Sequence, residues 1–548
     1  MIPNLIRKIR KEASEMACNT ALYNWSLRGE APDRLNVKPA DAWPGNAESG
    51  RWLCDGAFAL AGDKISLGGG CWEPLGVSES WLDHMHGFEW LRDLRALGGE
   101  EARQQARWLT ESWIYYHPKW SAHAWRADMC GNRIAMWISH FEFFVEAAGP
   151  DFQDIYFDSL TKQAVHLSRA LQGGISGIAA LKAIKGLLYA GLAFEDRDAW
   201  VQQSLGQLNA EIAKQILRDG AHVSRSPLQH MQALQILLDI RTALAAAGRA
   251  LPETVQHAID SLGAALRFFR YGDGGLAVFH GTQEGPRELL DSVLAQANVR
   301  GKGLHTLPCA GFEKITEGRT LVMFDCGRSP QRPYDKVSHA APLAFEMAYG
   351  KERIFVSCGT HPSSPDWQEA LRATAAHNTI TLDYRNACEI REDGHLSRKP
   401  RVVSIVREET KGSCLLEATH DGYALLNGIE HRRRLYLTNE GHDLRGEDIL
   451  TSQAGPPKAV DVAIRFHIHP RVMVSLVGEE GDAALLRLPS GIGWRFHQSG
   501  GILKLEDSVY LGEDSRPRKT KQLVVYGQMP ETEFKVKWAM QREGLAKE

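Results

Sequence analysis

The 548-residue sequence contains no run approaching the roughly 18 consecutive apolar residues that a membrane span requires. Even GISGIAALKAIKGLLYAGLAF is interrupted by Lys182 and Lys185, so a soluble protein without a transmembrane segment is expected. The N-terminal stretch MIPNLIRKIRKEASEMACNTALYNW is basic but lacks the uninterrupted apolar core, about 7–15 residues, of a secretory signal. A cytoplasmic location follows as the expectation. The nine cysteines are scattered, with no CxxC pair, which excludes a disulfide framework and a Cys-type zinc site. Net charge is nearly absent too. The 64 basic and 67 acidic side chains leave −3, so no global positive field exists to hold a nucleic acid. No exact internal repeat and no low-complexity segment is found.

What is present is enough apolar sequence, 43%, for a folded chain too long for one ordinary core. Its tryptophans are uneven: twelve of fifteen lie between Trp25 and Trp200, leaving Trp367, Trp494 and Trp538. Residues 1–75, rich in Pro, Gly, Asp and Trp, read as an irregular arm with short strands such as FALAG and KISLGGG. At its start, Ile2, Leu5, Ile6 and Ile9 with Arg7, Lys8, Arg10 and Lys11 suit a short amphipathic helix that docks on the protein or touches a membrane surface. Residues 76–285 are helical. SESWLDHMHGFEWLRDLRAL places Leu82, Met85, Phe88, Leu91 and Leu94 at helical spacing, and LQHMQALQILLDIRTALAAAG carries Leu237, Ile240 and Leu244 before Gly248. Successive helices without strands make an all-α domain. Residues 286–548 open with a helix and linker, then alternate as strands: LAFEMAYGKERIFVSCG turns at Tyr-Gly-Lys, and EHRRRLYLTNEGHDLRGEDIL, AIRFHIHP and KLEDSVYLG continue the pattern. A large antiparallel β domain is expected.

Histidine is the side chain whose ordinary pKa suits proton transfer near neutral pH. In DGAHVSRSPLQHMQAL, Asp219-Gly220 ends one element and Ser226-Pro227 starts a helix, crowding His222, Arg225 and His230 together; a plain helix connection is the alternative. In WSAHAWRADMCGNRIAMWISH, Trp120 and Trp125 lie beside Arg126 and Arg133. Aromatic faces stack on sugar rings and guanidinium forks pair with carboxylates, so this combination suits an acidic saccharide, and core tryptophans with surface arginines are the alternative. In the β half, His377 heads a strand, with Glu392, Asp393, His395, His420 and His431 further on; two imidazoles and a carboxylate from separate strands suit Zn²⁺. His467 and His469 read as structural histidines or as metal ligands.

Eight segments in this order, HGFEWLRDLRALGG, LKAIKGLLYAGL, DGAHVSRSPLQH, YGDGGLAVFHGT, SHAAPLAFEM, LRATAAHNTITLD, ATHDGYALLNGIEHRRRLYL and RFHIHP, resemble the heparinase II/III-like proteins through nearly the whole chain. The resemblance is closest to a cytosolic bacterial branch. It implies an incomplete α/α toroid followed by an antiparallel β-sandwich, and β-elimination at a uronic acid: a base takes the C5 proton, a cation or donor neutralises the adjacent carboxylate, and an acid protonates the leaving oxygen. Gln229 stands where these lyases usually have Tyr, with His230 kept. Ser224 replaces an acidic residue. Ala179 and Ala180 fall near the usual Asn/His pair, which passes the carboxylate-neutralising role to Lys182, Arg225 or Arg133. His339-Ala340-Ala341 keeps the His of a His-Ala-Asp element, with Glu346 in the same strand. His377, His420 and Glu392 or Asp393 match the structural zinc ligands.

The leading expectation is therefore a lyase on an acidic poly- or oligosaccharide, working in a cleft between the domains. His222, His230 and His339 supply base and acid, Arg225 and Gln229 lie beside them, and Trp120, Trp125, Arg126, Arg133 and Lys182 bind substrate. Second comes a saccharide-binding protein that has lost catalysis, favoured by Gln229, Ala179, Ala180 and Ala341. A hydrolase using Glu346 with Asp219 is third. A structural Zn²⁺ is the one expected cofactor, and a homo-oligomer is left open.

Overall fold

The computed structural model describes residues 12–13, 15–60, 63–66, 72–301, 303–452, 455, 459–478, 481–529 and 532–544. The basic N-terminal segment and part of KISLGGG lie outside them. Two compact units emerge, 1–215 with 232–259, and 216–231 with 260–548. These units group 216–231 and 260–285 with the β-rich half, whereas the sequence pattern sets its boundary at 285/286.

The first unit is helical, with one short hairpin, Ala57–Leu60 against Asp63–Ser66, following the helices Ala21–Ser26 and Ala47–Cys54. It holds all twelve early tryptophans. The stripe from Leu82 to Leu94 is broken into two helices, Glu79–Gly87 and Leu91–Leu97, because Phe88 adopts a left-handed φ of 61°. Spacing alone does not reveal such a stop; the adjoining Gly87 is the local signal. Helices Ala127–Ser139 and Gly177–Ala193 are apolar around most of their circumference, and both are buried over most of their length. They meet backbone to backbone. A Cβ on Gly131 would stand 2.4 Å from the Lys182 carbonyl oxygen, and one on Gly186 would stand 2.3 Å from Gly131 Cα. Among the described residues, no helix is long and apolar enough to cross a membrane.

The second unit is built on antiparallel sheets. The largest runs, in spatial order, Val403–Thr410, Ser413–Tyr423, Ile429–Thr438, Asp443–Ser452, Glu533–Arg542, Gly493–Ser499, Ala483–Arg487 and Met473–Val477. A four-stranded sheet orders Ile502–Tyr510, Arg518–Met529, Val460–His467 and Ile380–Leu382, and a five-stranded sheet covers Thr306–Phe355. Alternation decides which side chains point inward. Along Ile429–Thr438 every second residue is buried, so Ile429, His431, Arg433, Leu435 and Leu437 face the core. That core is aromatic, with Phe345 stacked on Trp538 at 5.4 Å between ring centroids and Phe466 at 4.9 Å from the same indole.

Candidate functional site

The segment 216–231 forms as its turn residues dictate. Gly220 has φ 83°, and a Cβ there would meet the Ser261 carbonyl oxygen at 2.4 Å. Asp219 accepts the backbone N–H groups of Cys309 (2.7 Å) and Ala310 (2.9 Å). Its two histidines are buried framework groups. His230 holds the Leu262 carbonyl through Nε2 at 2.7 Å and accepts the His222 N–H at Nδ1 (3.2 Å). His222 Nδ1 lies 2.7 Å from Ser224 Oγ. Burial lowers their pKa values, to about 3 for His222 and about 4 for His230. Gln229 is half-buried.

Arg225 leads into a denser cluster. Its φ is 61°, its Nε–H donates to the Ala310 carbonyl at 2.5 Å, its guanidinium lies 4.6 Å from the Phe312 ring centre, and it pairs with Asp325. The second Asp325 oxygen lies 2.9 Å from His280 Nε2, and His280 also has a positive φ, 48°. Burial opposes the Asp325 charge, but Arg225 and His280 outweigh it and lower the pKa to about 2. His280 and His339 then clasp each other, each backbone N–H pointing to the other's Nδ1 at 3.1 Å, while Gly281 N lies 2.9 Å from His339 Nε2; the neutral His339 ring accepts at one of these two nitrogens. His339 stacks on His377 at 4.1 Å between centroids. His377 is fully buried, and neither ring nitrogen makes a well-formed hydrogen bond. Two left-handed non-glycine residues on one carboxylate mark a backbone held by its surroundings. His280 lies within YGDGGLAVFHGT without being singled out there, and nothing in LVMFDCG singles out Asp325.

The structure does not bring His377, Asp393 and His420 together. Among the described residues, the sets of three candidate ligand atoms within 4.8 Å are Glu73–His86–His117 and Glu79–Asp83–His123. Asp393 is an exposed carboxylate near Arg332 (3.5 Å) and Arg391 (3.8 Å). His420 instead contacts His431 at 3.1 Å, and His431 reaches Asp448 at 2.8 Å. Neither of the other sets suits a metal. Trp113 donates to His86 Nδ1 at 3.0 Å, which puts the ring proton on Nε2, the atom a metal would need. The Arg126 guanidinium already occupies Glu79 and Asp83.

The nominated substrate residues are mostly spoken for. Arg126 bonds Asp128 (2.7 Å), Glu79 (2.7 Å) and Asp83 (2.9 Å), three carboxylates that more than offset its charge. Arg133 is buried, donating to Gln163 at 2.6 Å and the His86 carbonyl at 2.8 Å over the face of Trp113. Trp125 is a core residue and Trp120 is half-buried. Lys182 remains partly open, 3.5 Å from Glu89. The hydrolase pair is likewise occupied: Glu346 is buried and accepts the Val278 and Ser357 N–H groups at 3.2 Å, and Asp219 is bound as described.

Comparison with known proteins agrees with this architecture. Residues 82–276 match the heparinase II/III N-terminus, and residues 299–539 match the heparinase II/III-like C-terminal domain. FtsZ-localized protein C of Caulobacter vibrioides is 30% identical over 539 residues, covering 93% of this chain and 90% of that protein. The heparin-sulfate lyase of Pedobacter heparinus is 28% identical over 145 residues, 23% of this chain and 21% of the lyase. Among solved structures, heparinase III superposes with a TM-score of 0.75 at 16% identity, covering 98% of this chain and 91% of that one. The chain belongs to the heparinase II/III-like family.

Proposed function

We propose that this protein binds a saccharide and does not cleave it by the family's elimination chemistry. The state of the nominated proton carriers supports this reading. Both ring nitrogens of His230 and of His339 lie against protein groups, and Gln229 has no titrating group where the lyases usually have Tyr. Elimination needs a base free to meet the C5 proton and a cation free to neutralise the carboxylate; Arg126, Arg133 and Arg225 are committed, and Lys182, the partly open one, stands against the Glu89 carboxylate at 3.5 Å. The measurement is calorimetry against uronate-containing and neutral oligosaccharides, run beside an ultraviolet assay for the unsaturated product. Binding without product is expected. Absence of binding to every glycan overturns the proposal.

A second reading is β-elimination on a uronic-acid glycan, favoured by His377, whose ring nitrogens make no well-formed hydrogen bond beside His339. It requires unsaturated product that disappears in His377→Ala. The Caulobacter relative is named for localisation with FtsZ, and we extend that localisation to this chain. A fluorescent fusion that stays diffuse during division would refute it.

A further inference from the structure

Within the helical unit, one carboxylate is fixed yet left open. Glu89 sits between Phe88 and Trp90, both buried, and its own side chain is 45% exposed. Buried Asn132 donates from Nδ2 to Glu89 Oε1 at 2.9 Å and to the Gly87 carbonyl at 3.0 Å. Lys182 Nζ, 22% exposed, lies 3.5 Å from the same oxygen. The backbone contact at Gly131 and Gly186 is what brings Asn132 and Lys182, from separate helices, to this one place. Lys182 foremost, with Arg92 and Lys185, holds the carboxyl far below the usual range, so it is ionised. Arg92 is committed to Asp41 at 2.8 Å, and Lys185 to Asp239 at 3.0 Å. Among the described residues, Glu89 Oε2 has no hydrogen bond or ion pair.

The open groups are thus one anionic acceptor and one ammonium donor, side by side and of zero net charge. A metal ion or an amine would be repelled by Lys182, and a uronate by Glu89. Adjacent hydroxyls, each both donor and acceptor, match both. We propose that Glu89 and Lys182, with Asn132 as the positioning residue, form a subsite for two neighbouring hydroxyls of an uncharged sugar ring. One hydroxyl donates to Glu89 Oε2 and the other accepts from Lys182 Nζ. This rests on the saccharide-binding reading and narrows its ligand from an acidic to a neutral one.

The test is calorimetry on the full chain with neutral hexose oligosaccharides and with uronate oligosaccharides. Glu89→Gln, which keeps an acceptor for Asn132, is expected to weaken neutral-sugar binding by about tenfold or more. Lys182→Met is expected to do the same. If Glu89→Gln lowers the thermal midpoint, Lys182→Met carries the test. Neutral-sugar binding that neither variant changes, or uronate oligosaccharides bound more tightly than neutral ones by the unaltered chain, overturns the subsite alone. No binding of any saccharide by the unaltered chain overturns the saccharide-binding reading with it.

Discussion

Arg433 shows how one side chain's role follows from its strand position. In EHRRRLYL three arginines are adjacent, and only the middle one shares the inward face with Leu435 and Leu437. It bonds Asp448 through Nε at 2.7 Å and Nη2 at 3.1 Å, and reaches the Asn378 and Leu343 carbonyls at 2.6 and 2.8 Å. Asp448 also accepts the Trp538 indole N–H at 3.0 Å. Arg433→Met would leave a buried carboxylate without its cation, at a cost of about 3–5 kcal/mol in urea denaturation. A loss below about 1 kcal/mol would mean water replaces the guanidinium. Asp393→Ala is the contrast. Its exposed carboxylate meets neither His377 nor His420, so thermal midpoint and zinc content should both stay unchanged. A fall in bound zinc would restore the three-residue site that the family resemblance suggested.

Elements were easier to anticipate than partners. Alternation located the strands about the Tyr-Gly-Lys turn, at Phe345–Tyr349 and Glu352–Phe355, because a half-buried pleat imposes a period of two on any sequence that adopts it. The helical domain was legible for the same kind of reason. The break at Phe88 was not, since a buried aromatic in left-handed geometry leaves the spacing of its neighbours intact. The cluster around Asp325 was hidden differently: Arg225 and Asp325 are 100 residues apart, and no local pattern records a long-range pairing. DGAHVSRSPLQH shows its histidines, but the occupied nitrogens of His230 follow only from the Leu262 carbonyl and the His222 N–H. At the helix pair, Gly131→Val must push the Lys182 carbonyl away, and overpacking of this kind costs about 1–3 kcal/mol. The thermal midpoint should fall. An unchanged midpoint would show that the two helices can separate freely.

On the scale of the whole chain, the buried histidines set the response to acid. Burial lowers His222 and His377 to about 3, and His230 and His467 to about 4. In the unfolded chain these rings titrate near about 6.5. Between those values the unfolded state binds more protons than the folded one, so stability is full above about pH 7 and falls as acid is added through about pH 6.5 to 4. Asp325, lowered to about 2, adds a further loss from about pH 4 downward. Urea titrations at about pH 7.5 and about pH 5 should give a clearly smaller unfolding free energy at the lower pH. Equal values would mean that the rings stay neutral in the unfolded chain or are charged in the folded one.

The uneven division of tryptophan gives the molecule a built-in optical label. Twelve indoles report on the helical unit and three on the β-rich unit, while strand circular dichroism reports mainly on the latter. Emission and dichroism recorded through one melt therefore follow different units. Superimposed curves would mean that the two halves unfold as a single cooperative body, and curves offset in temperature would give each half its own transition without cutting the chain.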